Sequence, residues 1–151
     1  VYRPFFEKIK TEYVSLDIEK KHPDLDYQAD AHQLPFKENQ FETIFCSQVL
    51  EHTYDPEKVL KEISRVLKKE GRVIISVPHL SYLHNEPNDY YRFTKYGLTH
   101  LLKKAGLRPI LIQPSGGVIA LFGSIPSKFL LAPTYHLPFL GKFFFFLNKI
   151  F

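Results

Sequence analysis

The chain has one cysteine, Cys46, no glycine before Gly71 and no acidic residue after Asp89. A single cysteine excludes an internal disulfide framework and suits a reducing compartment. Set in an apolar run, Cys46 reads as a small buried hydrophobe rather than a nucleophile. No stretch reaches the roughly 18–20 consecutive apolar residues that a membrane-crossing helix needs. The start of the chain mixes charge with aromatics and carries no secretory signal pattern, so a cytoplasmic protein is expected. The missing acids divide the sequence: up to Asp89 the charge sums to −4, and from Tyr90 onward to +8, within a total of +4. A basic half suits an anionic substrate or a membrane surface, or serves solubility alone. Its bases are scattered rather than striped and no single-strand stacking platform is evident, so no nucleic acid partner is expected.

What is present is ordinary in amount and informative in order. At 151 residues, 44% apolar and 24% charged, the chain has the size of one soluble domain with a real core. Residues 13–52 organise it: apolar runs at 13–16, 25–29 and 43–46 end at Asp17, Asp30 and Ser47. In an open α/β sheet, ligands sit beyond the carboxyl ends of parallel strands, so three polar strand ends read as one crevice. Phe5, Phe6 and Ile9 at helical spacing predict a short helix within residues 1–10. Pro23 breaks the chain before the second strand, and Leu34, Pro35 and Phe36 sit in a loop able to fold back as a lid. Asp55-Pro56 opens the clearest helix, with Val59, Leu60, Ile63, Val66 and Leu67 as its apolar stripe and Gly71 as its left-handed stop. A buried strand at 72–77 follows and completes a right-handed crossover with the strand at 43–46. Thr94 caps a second helix bearing Leu98, Leu101, Leu102 and Ala105 and ending at Gly106; a further strand is predicted at 107–113. The expectation is an α/β fold with at least five strands.

Residues 118–151 contain three lysines, no acid and prolines at 126, 133 and 138, and close on KFFFFLNKIF. Too broken to span a bilayer, this stretch is apolar enough to lie on a membrane, to cover a pocket, or to be half of a hydrophobic unit completed elsewhere. The domain division expected is 1–113 for the core and 114–151 for an apolar extension or partial cap.

Several segments carry a family resemblance in order: Asp17 after the first run, the ADA around Asp30, then LPF, NQFE, SQVLEH and DPEKVLKEISRVLKKEGRVIISVP. In this order residues 13–113 resemble the class I S-adenosylmethionine-dependent methyltransferases of the type 11 group. HNEPNDYYRFTKYGL is similar to a subgroup of bacterial members associated with small-molecule or surface-glycan pathways. The resemblance implies a Rossmann-like, mostly parallel sheet. Against the family pattern, the first strand and its glycine-rich loop are not evident before Val1–Lys10, nor a last strand after Phe151. The expectation is a fragment truncated at the N-terminus and at the C-terminus. The absent strand is normally central, so the strands ending at Asp17 and Ser47 should close up, or a partner chain should fill the gap, or the chain should be a piece of a longer one.

The resemblance also assigns the site. Asp17, with Ile18 beside it, would accept from the ribose hydroxyls of S-adenosylmethionine, and Asp30 from the adenine amino group. The backbone N–H of Ala31 or His32 would meet a ring nitrogen, Leu34 and Phe36 the adenine faces, and Ser47 and Gln48 complete the cofactor side. His52 and His84, with His79 as a further candidate, are expected as the base that takes the acceptor's proton. Tyr90, Tyr91 and Arg92 are expected at the substrate, Arg92 by bidentate contact with an anion. Glu51-His52 with Gln48 resembles a divalent-metal arrangement in some relatives; Gln48 stands where their first glutamate would, and no metal is expected. The function expected is methyl transfer to a small-molecule acceptor, glycan or lipid-linked, with peripheral membrane contact through 118–151 and homo-oligomerisation left open. The alternative is a non-catalytic methyltransferase-like module that uses the apolar tail for partner or membrane contact. A nicotinamide-dependent oxidoreductase is disfavoured by the ADA and LPF segments.

Overall fold

A computed structural model describes residues 3–7, 12–20 and 22–115; the apolar segment 118–151 lies outside the described residues. In chain order the elements are α1 (Arg3–Glu7), β1 (Leu16–Asp17), β2 (Tyr27–Gln28), β3 (Phe41–Ser47), a 3-10 turn (Leu50–His52), α2 (Pro56–Val66), β4 (Leu67–Ser76) and α3 (Lys95–Lys104). The chain divides into units Val1–Ile110 and Leu111–Phe151, and every one of these elements belongs to the first.

The strands form two parallel pairs. Leu16 pairs with Tyr27 and Asp17 with Gln28, while β3 runs beside β4 from Phe41↔Leu67 to Ser47↔Ser76. Among the described residues no ladder joins one pair to the other, so the strands ending at Asp17 and Ser47 do not close up. Aromatic rings link the pairs instead. Phe36, in the loop between β2 and β3, stands edge-on to Tyr27 at 4.9 Å and to Phe41 at 4.8 Å. On the far side Phe6 of α1 stacks on Tyr13 at 5.1 Å and approaches Phe45 at 6.3 Å.

Helix α2 starts where the sequence places it. The Asp55 carboxylate accepts from the Lys58 N–H at 3.0 Å and Pro56 takes the first turn. Its stripe of Val59, Leu60, Ile63 and Val66 is buried, and the first three pack with Cys46, Leu50, Phe93, Leu98, Leu102 and Ala105 into the core. Thr94 caps α3 by accepting from the Gly97 N–H at 3.0 Å, and Gly106 follows at φ 79°. Burial of Cys46 pushes its thiol up to about 12, which suits an inert packing role.

Three expectations fail. First, α2 ends at Val66, not at Gly71, because Leu67 turns extended and pairs with Phe41. Residues 68–71 bulge out before pairing resumes at Arg72, and the left-handed residue is Glu70, at φ 64°. Gly71 is needed for space: a Cβ there would stand 2.8 Å from the Lys68 carbonyl oxygen and 2.9 Å from Leu67 Cγ. Second, β4 is buried on one face only; Val73 and Ile75 meet the core, whereas Ile74 is 56% exposed. Third, residues 107–113 form no strand, leaving four strands among the described residues rather than five. A strand needs an edge to bond to, and none of those four pairs with this segment.

Candidate functional site

The carboxyl ends of β1 and β2 bring Asp17 and Asp30 close in the fold. Asp17 sits opposite Gln28, and the Ala29 N–H donates to the Asp17 carbonyl at 2.9 Å. Asp30 lies two residues beyond Gln28, the step that returns an extended chain to the same face. Asp17 Oδ1 accepts from the Glu19 N–H at 3.1 Å, and Ile18, 63% exposed, receives the Gln28 side-chain amide on its carbonyl at 3.2 Å.

Asp30 makes both of its hydrogen bonds through Oδ1, from the His32 N–H at 2.8 Å and from His32 Nδ1 at 2.6 Å. The His32 backbone bond, opposed by some desolvation, holds the Asp30 carboxyl below the usual range. His32 is buried, its ring stacks on Tyr54 at 4.0 Å, and its Nε2 faces the Asp55 N–H at 3.4 Å. One correction follows: the His32 N–H is engaged by Asp30 and not offered to a ring nitrogen, leaving Ala31 as the candidate donor.

The following loop is fastened to α2. Leu34 N–H donates to Glu62 Oε2 at 2.8 Å, and Arg65 donates to the carbonyls of Leu34 and Phe36 at 3.0 and 2.8 Å while pairing with Glu62. The Arg65 guanidinium holds the Glu62 carboxyl below its ordinary range. Phe36 is spent in the ring contacts with Tyr27 and Phe41, so of the two expected apolar contacts only Leu34 is uncommitted to such a cluster.

At the ends of β3 and β4, Ser47 Oγ and Ser76 Oγ share a hydrogen bond at 2.9 Å. Gln48, left-handed at φ 53°, donates its main-chain N–H to the Ser76 carbonyl and its amide to Ser76 Oγ at 3.2 Å. The 3-10 turn just beyond presents Glu51 and His52. Glu51 is 0% exposed, neither carboxylate oxygen has a hydrogen-bond partner, and burial pushes its carboxyl up. His52 Nε2 stands 3.9 Å from Glu51 Oε1, and His52 Nδ1 donates to the Asn88 carbonyl at 2.6 Å.

Residues 79–92 arch over this turn. The N–H groups of Tyr90 and Tyr91 donate to the Glu51 carbonyl at 2.8 and 3.2 Å, and Tyr91 Oη donates to the Tyr54 carbonyl at 3.1 Å. The arch sets the His84 ring perpendicular to that of His52, with centroids 4.8 Å apart. Asp89, its side chain 1% exposed, holds the arch by accepting both guanidinium nitrogens of Arg92 and the His84 N–H at 2.9 Å. The Arg92 hydrogen bonds keep the Asp89 carboxyl well below the carboxylate range. Arg92 also donates to the carbonyls of Ser81, Tyr82 and Tyr91. Its five N–H donors are thus all used, so Arg92 closes the loop and has none to spare for an anion. Tyr90 and Tyr91 remain 49% and 39% exposed beside it. His79 is turned away, donating from Nδ1 to the Phe93 carbonyl at 3.0 Å.

His52 and His84 therefore come together, as do Asp17 with Asp30 and Ser47 with Gln48. Sequence reasoning weighed Glu51 only in a metal arrangement that it set aside, and it missed Tyr54 and the Glu62–Arg65 and Asp89–Arg92 clamps. The i,i+3 spacing of Glu62 and Arg65 within the predicted helix was a readable signal; nothing in the sequence marks Glu51 as buried. A hollow of about 450 Å³ lined by Arg3, Pro23, Asp24, Leu25 and Asp26 lies where β2 begins, the wrong end of the strands for the crevice.

Residues 7–75 match a protein family described as a methyltransferase domain. Over these residues, a little under half of the chain, the sequence is similar to methyltransferase domains. Among relatives, a ubiquinone/menaquinone biosynthesis C-methyltransferase of Idiomarina loihiensis is 42% identical over 69 residues, covering 44% of this chain and 27% of its own. A tRNA U34 carboxymethyltransferase of Campylobacter curvus is 43% identical over 47 residues, 31% of this chain and 16% of its own. The chain thus spans well under a third of the length of these curated relatives. A Bacillus halodurans structure described as a candidate methyltransferase superposes with a TM-score of 0.56 at 23% identity, over 70% of this chain and 53% of that one, and shares the fold. The cofactor that the methyltransferase resemblance implies is S-adenosylmethionine. Its adenosine half offers hydroxyl and amino donors, and the carboxylates at the ends of β1 and β2 are acceptors with lone pairs to spare, so the residues present fit that half. No helix among the described residues is long and apolar enough to cross a membrane.

Proposed function

We propose that this chain is part of an enzyme that moves a methyl group from S-adenosylmethionine to a small-molecule acceptor, glycan or lipid-linked, the HNEPNDYYRFTKYGL segment favouring a small molecule or surface glycan. The observation that carries the reading is the pair of carboxylates on adjacent parallel strand ends, each with one oxygen uncommitted. Asp17 accepts from the ribose hydroxyls and Asp30 from the adenine amino group. Ala31 donates to a ring nitrogen, and Leu34 and Ile18 give apolar contact. Ser47 and Gln48 border the cofactor at the end of β3.

The cofactor brings an already activated methyl on a sulfonium centre. The chain's residues have the remaining tasks of alignment and of taking the acceptor's proton. His52 and His84 face each other beneath the arch, and Tyr90 and Tyr91 flank them with exposed ring surface. Titration with S-adenosylhomocysteine tests the reading. Saturable binding that Asp17→Ala weakens about ten- to a hundredfold supports it, that being the worth of a charge-assisted hydrogen bond of about 1.5–3 kcal/mol. Binding that Asp17→Ala leaves unchanged would remove it.

A further inference from the structure

We infer that Glu51, His52 and His84 form a binding site for one divalent transition-metal ion of the zinc type. One ligand atom from each of the three residues lies within 4.8 Å of the others. Ligands about 2.0–2.2 Å from a shared ion stand at most about 4.4 Å apart, so the three need only draw in slightly.

Three independent features aim the cluster at a cation. Glu51 is fully buried with both oxygens lacking a hydrogen-bond donor, a costly state for a carboxylate that a cation relieves. His52 Nδ1 is fixed on the Asn88 carbonyl at 2.6 Å and His84 Nδ1 faces the Tyr82 carbonyl at 3.1 Å. Each carbonyl keeps the proton on Nδ1 and leaves Nε2 as a lone pair, the arrangement that metal-binding histidines use. The third feature is the arch itself. Asp89 and Arg92 lock it, and the Asp89 carboxylate, 3.6 Å from His84 Nδ1, steadies that ring from behind.

Two imidazoles and one carboxylate suit zinc and its neighbours rather than calcium or magnesium, which take oxygen ligands. Three protein ligands leave a position open to water or to an acceptor oxygen. The expectation of no metal rested on Gln48 in place of a carboxylate. Gln48 instead points its amide at Ser76, and the third ligand comes from residue 84. The site stands on these side chains alone and on none of the cofactor contacts. It changes the role of His52 and His84 in the reading above from proton acceptors to ligands.

The test is titration of the chelator-treated chain with Co²⁺, followed by its visible d–d absorption, and with Zn²⁺ by calorimetry. One ion per chain is expected. Glu51→Gln and His84→Ala should each weaken binding more than about a hundredfold, beyond the loss typical of an outer-shell partner. His100→Ala, on the exposed side of α3, should bind as the parent does. Circular dichroism checks the fold of Glu51→Gln, and His84→Ala removes only a loop ring, so the test survives if the buried variant unfolds. No uptake by the parent overturns the site, as does uptake indifferent to both substitutions or abolished equally by His100→Ala. S-adenosylhomocysteine binding, measured on the same samples, separates the readings: metal uptake can fail while nucleoside binding persists, and the reverse.

Discussion

Asp30→Asn isolates one contact of the nucleoside reading. The substitution keeps Oδ1, and with it the bond from the His32 N–H at 2.8 Å, but replaces the uncommitted oxygen by an NH₂. A group that accepted from the adenine amino now opposes it as a second donor. The lost charge-assisted bond is worth about 1.5–3 kcal/mol, or about ten- to a hundredfold in affinity, and the donor–donor clash adds to that. Folding should change little, because the Asp30 side chain is 48% exposed and the turn it caps is preserved. The assay is calorimetric titration with S-adenosylhomocysteine and with its inosine counterpart, in which a ring carbonyl replaces the amino group. The parent should prefer the adenine form, and Asp30→Asn should erase or invert that preference, since its new donor suits the carbonyl. The cycle of two proteins and two ligands reads the pairwise contact directly. Equal loss for both ligands, or no loss for either, would refute the placement of Asp30 at the base.

Gly71→Ala should destabilise the domain by about 1–3 kcal/mol, because the new Cβ meets a backbone carbonyl at 2.8 Å, and thermal denaturation would register it. Glu70→Gly, at the position that holds φ 64°, should not destabilise and should raise the midpoint; a fall would place the left-handed turn elsewhere. Leu60→Ala, at a site with 0% exposure, should cost about 2–5 kcal/mol in urea denaturation. Asp89 has its carboxyl held down by Arg92, so its contribution is present above the ordinary aspartate range and is lost as pH falls below about 4 toward the lowered folded value. Asp89→Asn should therefore flatten the acid limb of the stability curve, and an unchanged limb would contradict the clamp. Arg92→Lys, which cannot reproduce the bidentate fork, should speed amide exchange in residues 81–92 while leaving α2 protected.

Local rules made parts of the fold legible. Asp55-Pro56 and Thr94 announced both helix starts, and the stripe of Val59, Leu60, Ile63 and Val66 announced the core face, because caps and periodicity are set by neighbours in sequence. The stop of α2 was not legible. Leu67 continues the apolar stripe, and only pairing with Phe41, 26 positions earlier, pulls it out of the helix. Residues 107–113 failed for the complementary reason: their pattern suits a strand, but a strand exists only against an edge. At the site, strand-end positions could be read because a strand's end fixes where its next side chain stands. The burial of Glu51 could not, since it depends on the arch of residues 79–92 closing over it. Nor could the fate of Arg92, whose donors are taken by carbonyls that only the folded loop brings within reach.

The two halves of the site are one mechanical piece even though their strand pairs share no ladder. Asp30 holds His32; His32 stacks on Tyr54 and meets the N–H of Asp55, the residue that caps α2. The Tyr54 carbonyl takes the Tyr91 hydroxyl, and the Tyr91 N–H returns to the Glu51 carbonyl beside His52. Each link is a short polar or ring contact between groups that are themselves anchored. This places Tyr54 at the junction between the proposed nucleoside and acceptor ends. It also explains why a loop as irregular as 79–92 is fixed by three backbone bonds and a buried carboxylate: its task is to hold His84 at a set distance from a turn that the opposite strand pair helps to position.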